Sequence, residues 1–308
     1  MDFPVSQAHI DPIYLIVVGF VIGVLGGFFG VGGSFIAGPA LRLAGLQWNM
    51  AVGTDLAHIM GKSVVAARKH RALGNIDFKL GFIMMAGTIA GAEAGAQGIE
   101  ALKRHGDVNM VVSWVSIVVY FSISTFMAWD AWETLRAHRP GAKRGAPPAE
   151  NTRSDRTSVG HVTARIQRLH LPPMISLPTS GIERISVWVI LAVSFVGGIF
   201  SGFLGGGAGY IRMPSMVYLL GIPTHLAIGT DLFEVIISAG YATASHAMKG
   251  NVDILIALVM NTGAAIGAQI GATATQFFRG PGIRMAFVPL PLIGMGIVIY
   301  TLITGQKL

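Results

Sequence analysis

The stretch GFFGVGGSFIAGPAL, residues 27–41, lies inside strongly apolar sequence but does not suit a continuous helix. Gly30, Gly32 and Gly33 each cost a helix interior about 1 kcal/mol relative to alanine, and Pro39 removes a backbone donor. Lipid tolerates the backbone groups freed by such a break only where protein or a water-filled cavity satisfies them. The stretch therefore predicts a broken membrane helix.

A second stretch of the same kind, GFLGGGAGYIRMPSM, occupies residues 202–216 in the other half of the chain. Paired breaks at corresponding positions of two apolar halves are typical of the binding sites of secondary transporters. We therefore expect both breaks to lie at a transport site.

The composition is that of a membrane protein. The chain has 308 residues, of which 52% are hydrophobic and 12% charged, and its mean hydropathy is +0.62. Soluble domains carry about 25% charged residues. No signal peptide is recognisable, so the first apolar segment, from near Ile13, is expected to stay in the membrane. The absence of cysteine excludes disulfides and thiolate metal sites.

We predict an all-α polytopic membrane protein with two repeats of about four or five apolar segments each, eight to ten in total. Repeat 1 spans residues 13–132 and repeat 2 spans 185–304. A basic hydrophilic loop, 133–184, joins them. The two shortest segments, 34–46 and 208–220, have the length of half-helices or re-entrant pieces. The remaining segments are 13–29, 50–68, 78–99, 108–131, 185–203, 226–246, 252–278 and 283–304.

The two halves share motifs in the same order, which indicates an internal duplication. The tetrapeptide Gly-Thr-Asp-Leu occurs at 53–56 and again at 229–232, a separation of 176 residues. Gly-Asn-Ile-Asp at 74–77 matches Gly-Asn-Val-Asp at 250–253, and Glu93 matches Gln269. Transporters are commonly built from such repeats.

Loop charge indicates the orientation of the helices. The formal net charge is +7, and residues 133–184 carry nine Lys/Arg against four Asp/Glu. This loop and the short loop bracketed by Arg68, Lys69, Arg71 and Lys79 are therefore expected in the cytoplasm. The N-terminal residues and 100–107 would lie outside, so each repeat crosses an odd number of times and the repeats are inverted. The basic surplus follows the positive-inside rule and does not indicate nucleic-acid binding.

Glycines at four-residue spacing mark two further segments. Each set lies on one helix face, where small residues let transmembrane helices approach closely. We expect tight helix packing at Gly87, Gly91 and Gly95 and at Gly263, Gly267 and Gly271.

Ionisable residues inside apolar segments are candidates for a functional role, because each costs about 2.5–3.5 kcal/mol near the bilayer centre. Asp55, His58 and Lys62 share one helix face. Further candidates are Asp231, Glu234, Glu93 and Arg212. We expect Glu93 to be buried, suited to proton coupling and open to pairing with Lys62.

Several of these ionisable residues also suit a purely structural role. Asp55 and Asp231 follow Gly-Thr where a helix is expected to begin, so both suit helix capping. His58 and Lys62 suit ion pairs near an interface, and Arg212 suits snorkelling. His70 and His246, at helix ends beside basic residues, are expected among lipid headgroups.

The breaks themselves suit an anion site. Backbone N–H groups freed at residues 30–34 and 205–209 would point from half-helix N-termini into a cavity and attract anions. The alternative is that these glycines only mark tight helix crossings. The candidate substrate-binding residues are Gly30, Gly32, Gly33, Ser34, Thr54, Gly205, Gly207, Gly209, Arg212 and Thr230.

The ordered motifs resemble the TauE/SafE family of sulfite and sulfonate exporters. They are G-x-x-G-x-G-G-S-F-x-x-x-P from residue 27, A-V-G-T-D-L from 51 and G-N-I-D from 74, with counterparts from 202, 227 and 250. The resemblance implies a bacterial inner-membrane permease for small sulfur-containing anions, without enzyme activity or bound cofactor. It also implies repeats of four helices, which would run parallel. Family members often have serine where this chain has Asp55 and Asp231, which suggests proton coupling or another substrate.

Two functions from different classes follow. The first is a secondary transporter that exports a small anion, sulfite or an organosulfur anion, with proton coupling through Glu93, Asp55 or Asp231. The alternative is a divalent cation transporter with Asp55, His58, Asp231 and Glu234 as ligands; the positive charges of Lys62 and Arg212 oppose it. The expected partners are the anion and the lipid bilayer, with no nucleic acid. A membrane anchor without transport and an intramembrane enzyme are disfavoured, the latter because the chain has no H-E-x-x-H or G-x-S-x-G motif.

Overall fold

The computed structural model describes residues 1–31, 33–137, 163, 166–167, 171–205 and 209–304. Helices dominate this part of the chain. In the first half they are α1 (Pro12–Phe29), α2 (Ser34–Leu43), α3 (Trp48–Ala72), α4 (Phe78–His105) and α5 (Val108–Ala137). In the second half they are α6 (Val187–Leu204), α7 (Gly209–Ser215), α8 (Thr224–Met248), α9 (Ile254–Ala274), α10 (Gly280–Phe287) and α11 (Pro289–Ile303).

Six helical spans of the described residues are long and apolar enough to cross a membrane. They are Pro12–Phe29, Val108–Asp130, Val187–Leu204, Thr224–Met248, Ile254–Phe277 and Gly280–Ile303. α3 and α4 are as long, with 25 and 28 residues, but carry more polar side chains. The all-α polytopic class predicted from the sequence is confirmed.

The glycine breaks end one helix and begin another, as predicted. Gly30, where φ is +73°, directly follows the last residue of α1, and Gly33, where φ is +76°, directly precedes α2. In the second half Gly205, where φ is +83°, directly follows the last residue of α6. Residues other than glycine rarely adopt these left-handed values. The short segment α2 turns back along α1. The Tyr14 hydroxyl, near the start of α1, donates to the Ala40 carbonyl, near the end of α2, at 3.0 Å.

The contacts at glycine positions show the relative directions of the long helices. Successive glycines of α1 lie against successive positions of α9, so these two helices are parallel: Gly19 at Met260, Gly23 at Ala264 and Gly27 at Ala268. α4 is parallel to α6 by the same criterion: Gly87 at Leu191, Gly91 at Phe195 and Gly95 at Ile199. The tight packing expected at both four-residue glycine series is confirmed.

α3 and α8 run in opposite directions. Gly53, near the start of α3, lies against Asn251 beyond the end of α8, whereas Gly229, near the start of α8, lies against Asn75 beyond the end of α3. α3 is parallel to α9, with Gly53 near Asn251 and Gly61 near Asn261, and α4 is parallel to α8, with Gly81 near Phe233 and Glu93 near Ser245. Helices α1, α3 and α9 therefore run one way, and α4, α6 and α8 run the other.

The two halves consequently have inverted topology. The helices that align in sequence are α1 with α6, α3 with α8 and α4 with α9, and each pair is antiparallel. This agrees with the inversion inferred from loop charge and not with parallel four-helix units. The duplication itself remains a prediction, supported by these matched pairs.

Two β-hairpins, which were not predicted from the sequence, mark opposite ends of the bundle. β1 (Asp2–Phe3) pairs with β2 (Ala8–His9), and β3 (Met174–Leu177) pairs with β4 (Ile182–Ser186). The hydroxyl of Ser6 donates to Asp253 at 2.8 Å, and that of Ser180 donates to Asp77 at 2.6 Å. Loop 73–77 and the β3–β4 hairpin thus share one end, and the N-terminus lies with residues 249–253 at the other.

Candidate functional site

The polar face of α3 lies inside the bundle. Asp55 and His58 are fully buried and Lys62 is 1% exposed. His58 Nδ1 lies 3.4 Å from Asp55 Oδ1. Because α3 begins at Trp48, Asp55 lies about two turns inside the helix and cannot cap it. The prediction of a capping role is therefore wrong, and it fails equally for Asp231 in α8.

The Lys62 ammonium lies at the first glycine break. A Cβ on Gly33 would stand 3.4 Å from Lys62 Nζ. Among the described residues, Nζ has no hydrogen-bond partner, although the charge of Asp55 acts on it. A buried ammonium without a partner is costly, so this position favours an incoming acceptor.

Four further polar atoms, three of them on α3, are buried and without hydrogen-bond partners in the described part of the chain. They are Asp55 Oδ2, His58 Nε2, Ser63 Oγ and the Tyr210 hydroxyl. The Tyr210 ring packs edge to face with that of Tyr120 at 5.9 Å between centroids, and both tyrosines experience the charge of Asp55. Native interiors seldom leave so many polar atoms unpaired, which points to a ligand or water there.

Arg212 belongs to a paired cluster, in which Arg212 Nη2 and Glu234 Oε1 have no hydrogen-bond partner among the described residues. Its Nε donates to Asp231 Oδ1 at 2.7 Å, and its Nη1 lies 2.6 Å from Glu234 Oε2 and donates to Thr88 at 3.3 Å. Ser238 donates to the same Glu234 oxygen at 3.2 Å. Arg212, expected from sequence to meet the substrate, is thus held by two carboxylates.

Gly209, which begins α7 after the second break, lies against the first break. A Cβ on Gly209 would fall 2.6 Å from Val31 Cα, 2.9 Å from the Gly30 carbonyl oxygen and 2.7 Å from Asp231 Oδ2. The start of α7 therefore lies between the first break and the Arg212 cluster. Gly32 and Gly207 and the Ser34 side chain lie outside the described residues.

The two candidate threonines hold loops of the opposite half. The Thr230 hydroxyl oxygen accepts from the Asp77 N–H at 2.9 Å, and that of Thr54 accepts from the Asp253 N–H at the same distance. Thr230 of the second half thus holds the start of α4, and Thr54 of the first half holds the start of α9.

Glu93 is not buried as expected. Its side chain is 32% exposed and lies 3.2 Å from Lys249 Nζ rather than beside Lys62. It also accepts from Ser245 and Gln97, each at 2.6 Å. The small alanine and glycine neighbours that suggested burial instead lie on another face, where α6 packs.

His70 and His246 do not lie among headgroups as expected, because both are fully buried. Each ring donates through Nε2 to a backbone carbonyl at 3.0 Å, His70 to Gly27 and His246 to Gly202. The imidazoles tie the ends of α3 and α8 to the helices that lead into the breaks.

Sequence reasoning missed one buried charge cluster. Arg284 of α10 lies 3.5 Å from Asp130 of α5 and donates to Thr224 at 2.9 Å, and the Tyr218 hydroxyl donates to Asp130 at 2.6 Å. The available signal was one charged residue in each of two apolar segments, Asp130 in 108–131 and Arg284 in 283–304.

The four proposed metal ligands do not converge. Asp55 and His58 lie on α3, whereas Asp231 and Glu234 both bind Arg212. Within the described residues, no group of three or more His, Cys, Asp or Glu side chains could hold a metal ion.

The fold is that of a multi-pass helical membrane protein with inverted halves and two helix breaks. Residues 15–298 match the sequence model of the family described as "Sulfite exporter TauE/SafE", so the chain belongs to this family. It is a membrane transporter.

Curated relatives carry names of the same kind. "Probable membrane transporter protein YunE" of Bacillus subtilis is 24% identical over 298 residues, covering 93% of this chain and 97% of the relative. "Probable membrane transporter protein YjnA" of the same organism is 24% identical, covering 91% and 96%. "Probable membrane transporter protein ORF9" of Sinorhizobium is 32% identical, covering 35% of this chain and 42% of the relative. No solved structure matches the chain significantly.

Proposed function

We propose that this transporter exports a small sulfur-containing anion, sulfite or an organosulfonate, across the bacterial inner membrane. The observation that carries the proposal is the buried Lys62 ammonium, which has no partner among the described residues and lies at the first glycine break. The family description names a sulfite exporter. The role is transport without a catalytic step.

The site offers donors suited to an oxyanion. Lys62 supplies a compact positive charge, and the Tyr210 hydroxyl supplies a neutral donor that has no other described partner. Backbone N–H groups at the start of α2 add the positive end of a half-helix. Arg212 supports the site through Asp231, whose carboxylate faces Gly209.

Asp55 is the coupling carboxyl in this proposal. Its Oδ2 has no described partner and its charge acts on Lys62. An ionised Asp55 would compete with the anion for Lys62, whereas a protonated Asp55 would release Lys62 to the substrate. Asp231 is bound to Arg212 and Glu93 to Lys249, which makes both less suited to this exchange.

Ligand-induced thermal stabilisation of the detergent-purified protein tests the binding step. Sulfite, thiosulfate, sulfoacetate, sulfate and divalent cations are screened, since only a ligand that prefers the folded state raises the Tm. We expect a sulfur oxyanion to raise the Tm of the wild type and of Arg104→Met, an exposed charge loss elsewhere. In Lys62→Met the affinity should fall about ten- to hundredfold, as for loss of one hydrogen bond to a charged group.

A divalent cation that stabilises the wild type, with no response to any sulfur anion, would overturn the proposal. So would unchanged anion affinity in a folded Lys62→Met protein.

Proton coupling is tested with Asp55→Asn in proteoliposomes. The variant should still exchange labelled anion for unlabelled anion but should lose accumulation driven by a pH gradient. Accumulation equal to that of the wild type would remove Asp55 from the coupling role.

A further inference from the structure

A groove of about 650 Å³ opens between α3 and α9 near the basic end of the bundle. Two cationic side chains, Arg68 and Lys69, and the amide of Gln269 line this groove together with apolar side chains, which form its apolar wall. Val64 is 49% exposed and Ile266 61% exposed, so the wall belongs to the lipid-facing surface. The lining residues used below are Val64, Val65, Arg68, Lys69, Ile266 and Gln269.

The inverted half contains the corresponding place between α8 and α4, and there the polar groups satisfy one another. The Glu93 carboxylate accepts from Ser245 at 2.6 Å and lies 3.2 Å from Lys249 Nζ. The Tyr241 hydroxyl lies 3.5 Å from the same carboxylate. In this half, the Glu93 carboxylate is therefore the acceptor for Ser245 and Lys249.

The α3–α9 groove lacks that acceptor. By the 176-residue alignment, Gln269 replaces Glu93, Lys69 replaces Ser245, and the smaller Val65 replaces Tyr241. Arg68 and Lys69 have no ion pair or hydrogen bond to any described residue. The groove therefore combines two cations without a described partner, an amide where the other half has a carboxylate, and the smaller Val65 where it has a tyrosine.

We propose that this groove binds an anionic phospholipid, whose headgroup phosphate takes the place of the missing carboxylate. The groove lies at the same end as loop 73–77, the end that loop charge assigns to the cytoplasm, where anionic lipids are concentrated. Basic pockets between transmembrane helices on this side are suited to lipid headgroups. The acyl chains would lie along Val64 and Ile266.

Binding of phosphatidylglycerol and phosphatidylcholine to the detergent-purified protein, measured by native mass spectrometry, tests the proposal. Phosphatidylglycerol should bind the wild type more tightly than phosphatidylcholine. Arg68→Ala/Lys69→Ala should weaken phosphatidylglycerol binding about thirtyfold, since each basic residue contributes about five- to sixfold to anionic lipid attraction and the two effects multiply. The control, Arg71→Ala/Arg184→Ala, removes two exposed charges at the same end but outside the groove, and should change binding less than threefold.

Gln269→Glu provides a test that keeps both cations. The new carboxylate should pair with Lys69, as Glu93 pairs with Lys249 in the other half, and should reduce phosphatidylglycerol binding at least fivefold. Equal binding of the two lipids by the wild type, or equal losses in the control and groove variants, would overturn the proposal. Soluble glycerol phosphate that binds as tightly as the lipid would show a site for free phosphate instead.

Discussion

At the scale of single residues, the buried cations Lys62 and Arg212 differ in what surrounds them. Arg212 lies against two carboxylates, whereas Lys62 has no described hydrogen-bond partner. Removing one member of a buried ion pair leaves an uncompensated charge, whereas Lys62 forms no ion pair with a described residue that its removal would break. Loss of the positive charge should therefore lower the stability of the fold at Arg212 and weaken substrate binding at Lys62.

Arg212→Gln should lower the free energy of unfolding by about 3–5 kcal/mol, because it leaves Asp231 and Glu234 buried without their cation. Thermal unfolding in detergent measures the loss. Adding Asp231→Asn and Glu234→Gln to this variant should recover much of the stability. A wild-type Tm for Arg212→Gln alone would show that the cluster does not stabilise the fold.

Sequence identified most residues of the candidate site but not their pairing. Asp55, His58, Lys62, Arg212, Asp231 and Glu234 stand out because a charge in an apolar segment is unusual. Which carboxylate meets which cation depends on how α3, α7 and α8 pack, and local sequence does not encode that distance. Glu93 and His70 were misplaced for the same reason, since the face that a helix buries depends on its neighbours.

At the scale of helices, glycine allows the closest contacts of the bundle. A Cβ on Gly91 would overlap the Phe195 carbonyl oxygen, and one on Gly23 would overlap that of Ala264. The spacing predicted these crossings because four residues return to the same helix face. It did not reveal that α1 packs on α9 and α4 on α6, which only the folded structure shows.

Gly91→Ala should lower the free energy of unfolding by about 1–3 kcal/mol, the usual effect of overpacking. Gly296→Ala is the matched control, because nothing lies within 4 Å of a Cβ there and alanine improves helix propensity by about 1 kcal/mol. Thermal unfolding of both variants measures the difference. A Gly91→Ala protein as stable as Gly296→Ala would mean that α4 and α6 are not in close contact.

At the scale of the whole molecule, the inverted halves place equivalent loops at opposite ends. Loop charge indicated inversion, because basic residues concentrate on one side, but the family resemblance implied parallel repeats, so the sequence left the choice open. The two β-hairpins could not be inferred, since β1 and β2 have two residues each and both hairpin turns contact residues distant in sequence, Ser6 with Asp253 and Ser180 with Asp77.

The absence of cysteine in the chain makes a single-cysteine test of this topology direct. A membrane-impermeant maleimide applied to intact cells should label Val5→Cys and Arg104→Cys, which lie at one end, and should not label Arg71→Cys or Thr179→Cys at the other. Inside-out vesicles should give the reverse pattern. Labelling of all four from the same side would contradict the arrangement.

The central claim is that a small sulfur anion crosses the membrane through the Lys62 site. Flux of labelled sulfite in proteoliposomes tests it most directly, with wild type, Lys62→Met and the exposed control Arg104→Met compared at equal protein density. We predict saturable flux in the wild type and the control, and a loss of at least tenfold in a folded Lys62→Met protein. Undiminished flux in Lys62→Met, or no flux of any sulfur anion through the wild type, would contradict the claim.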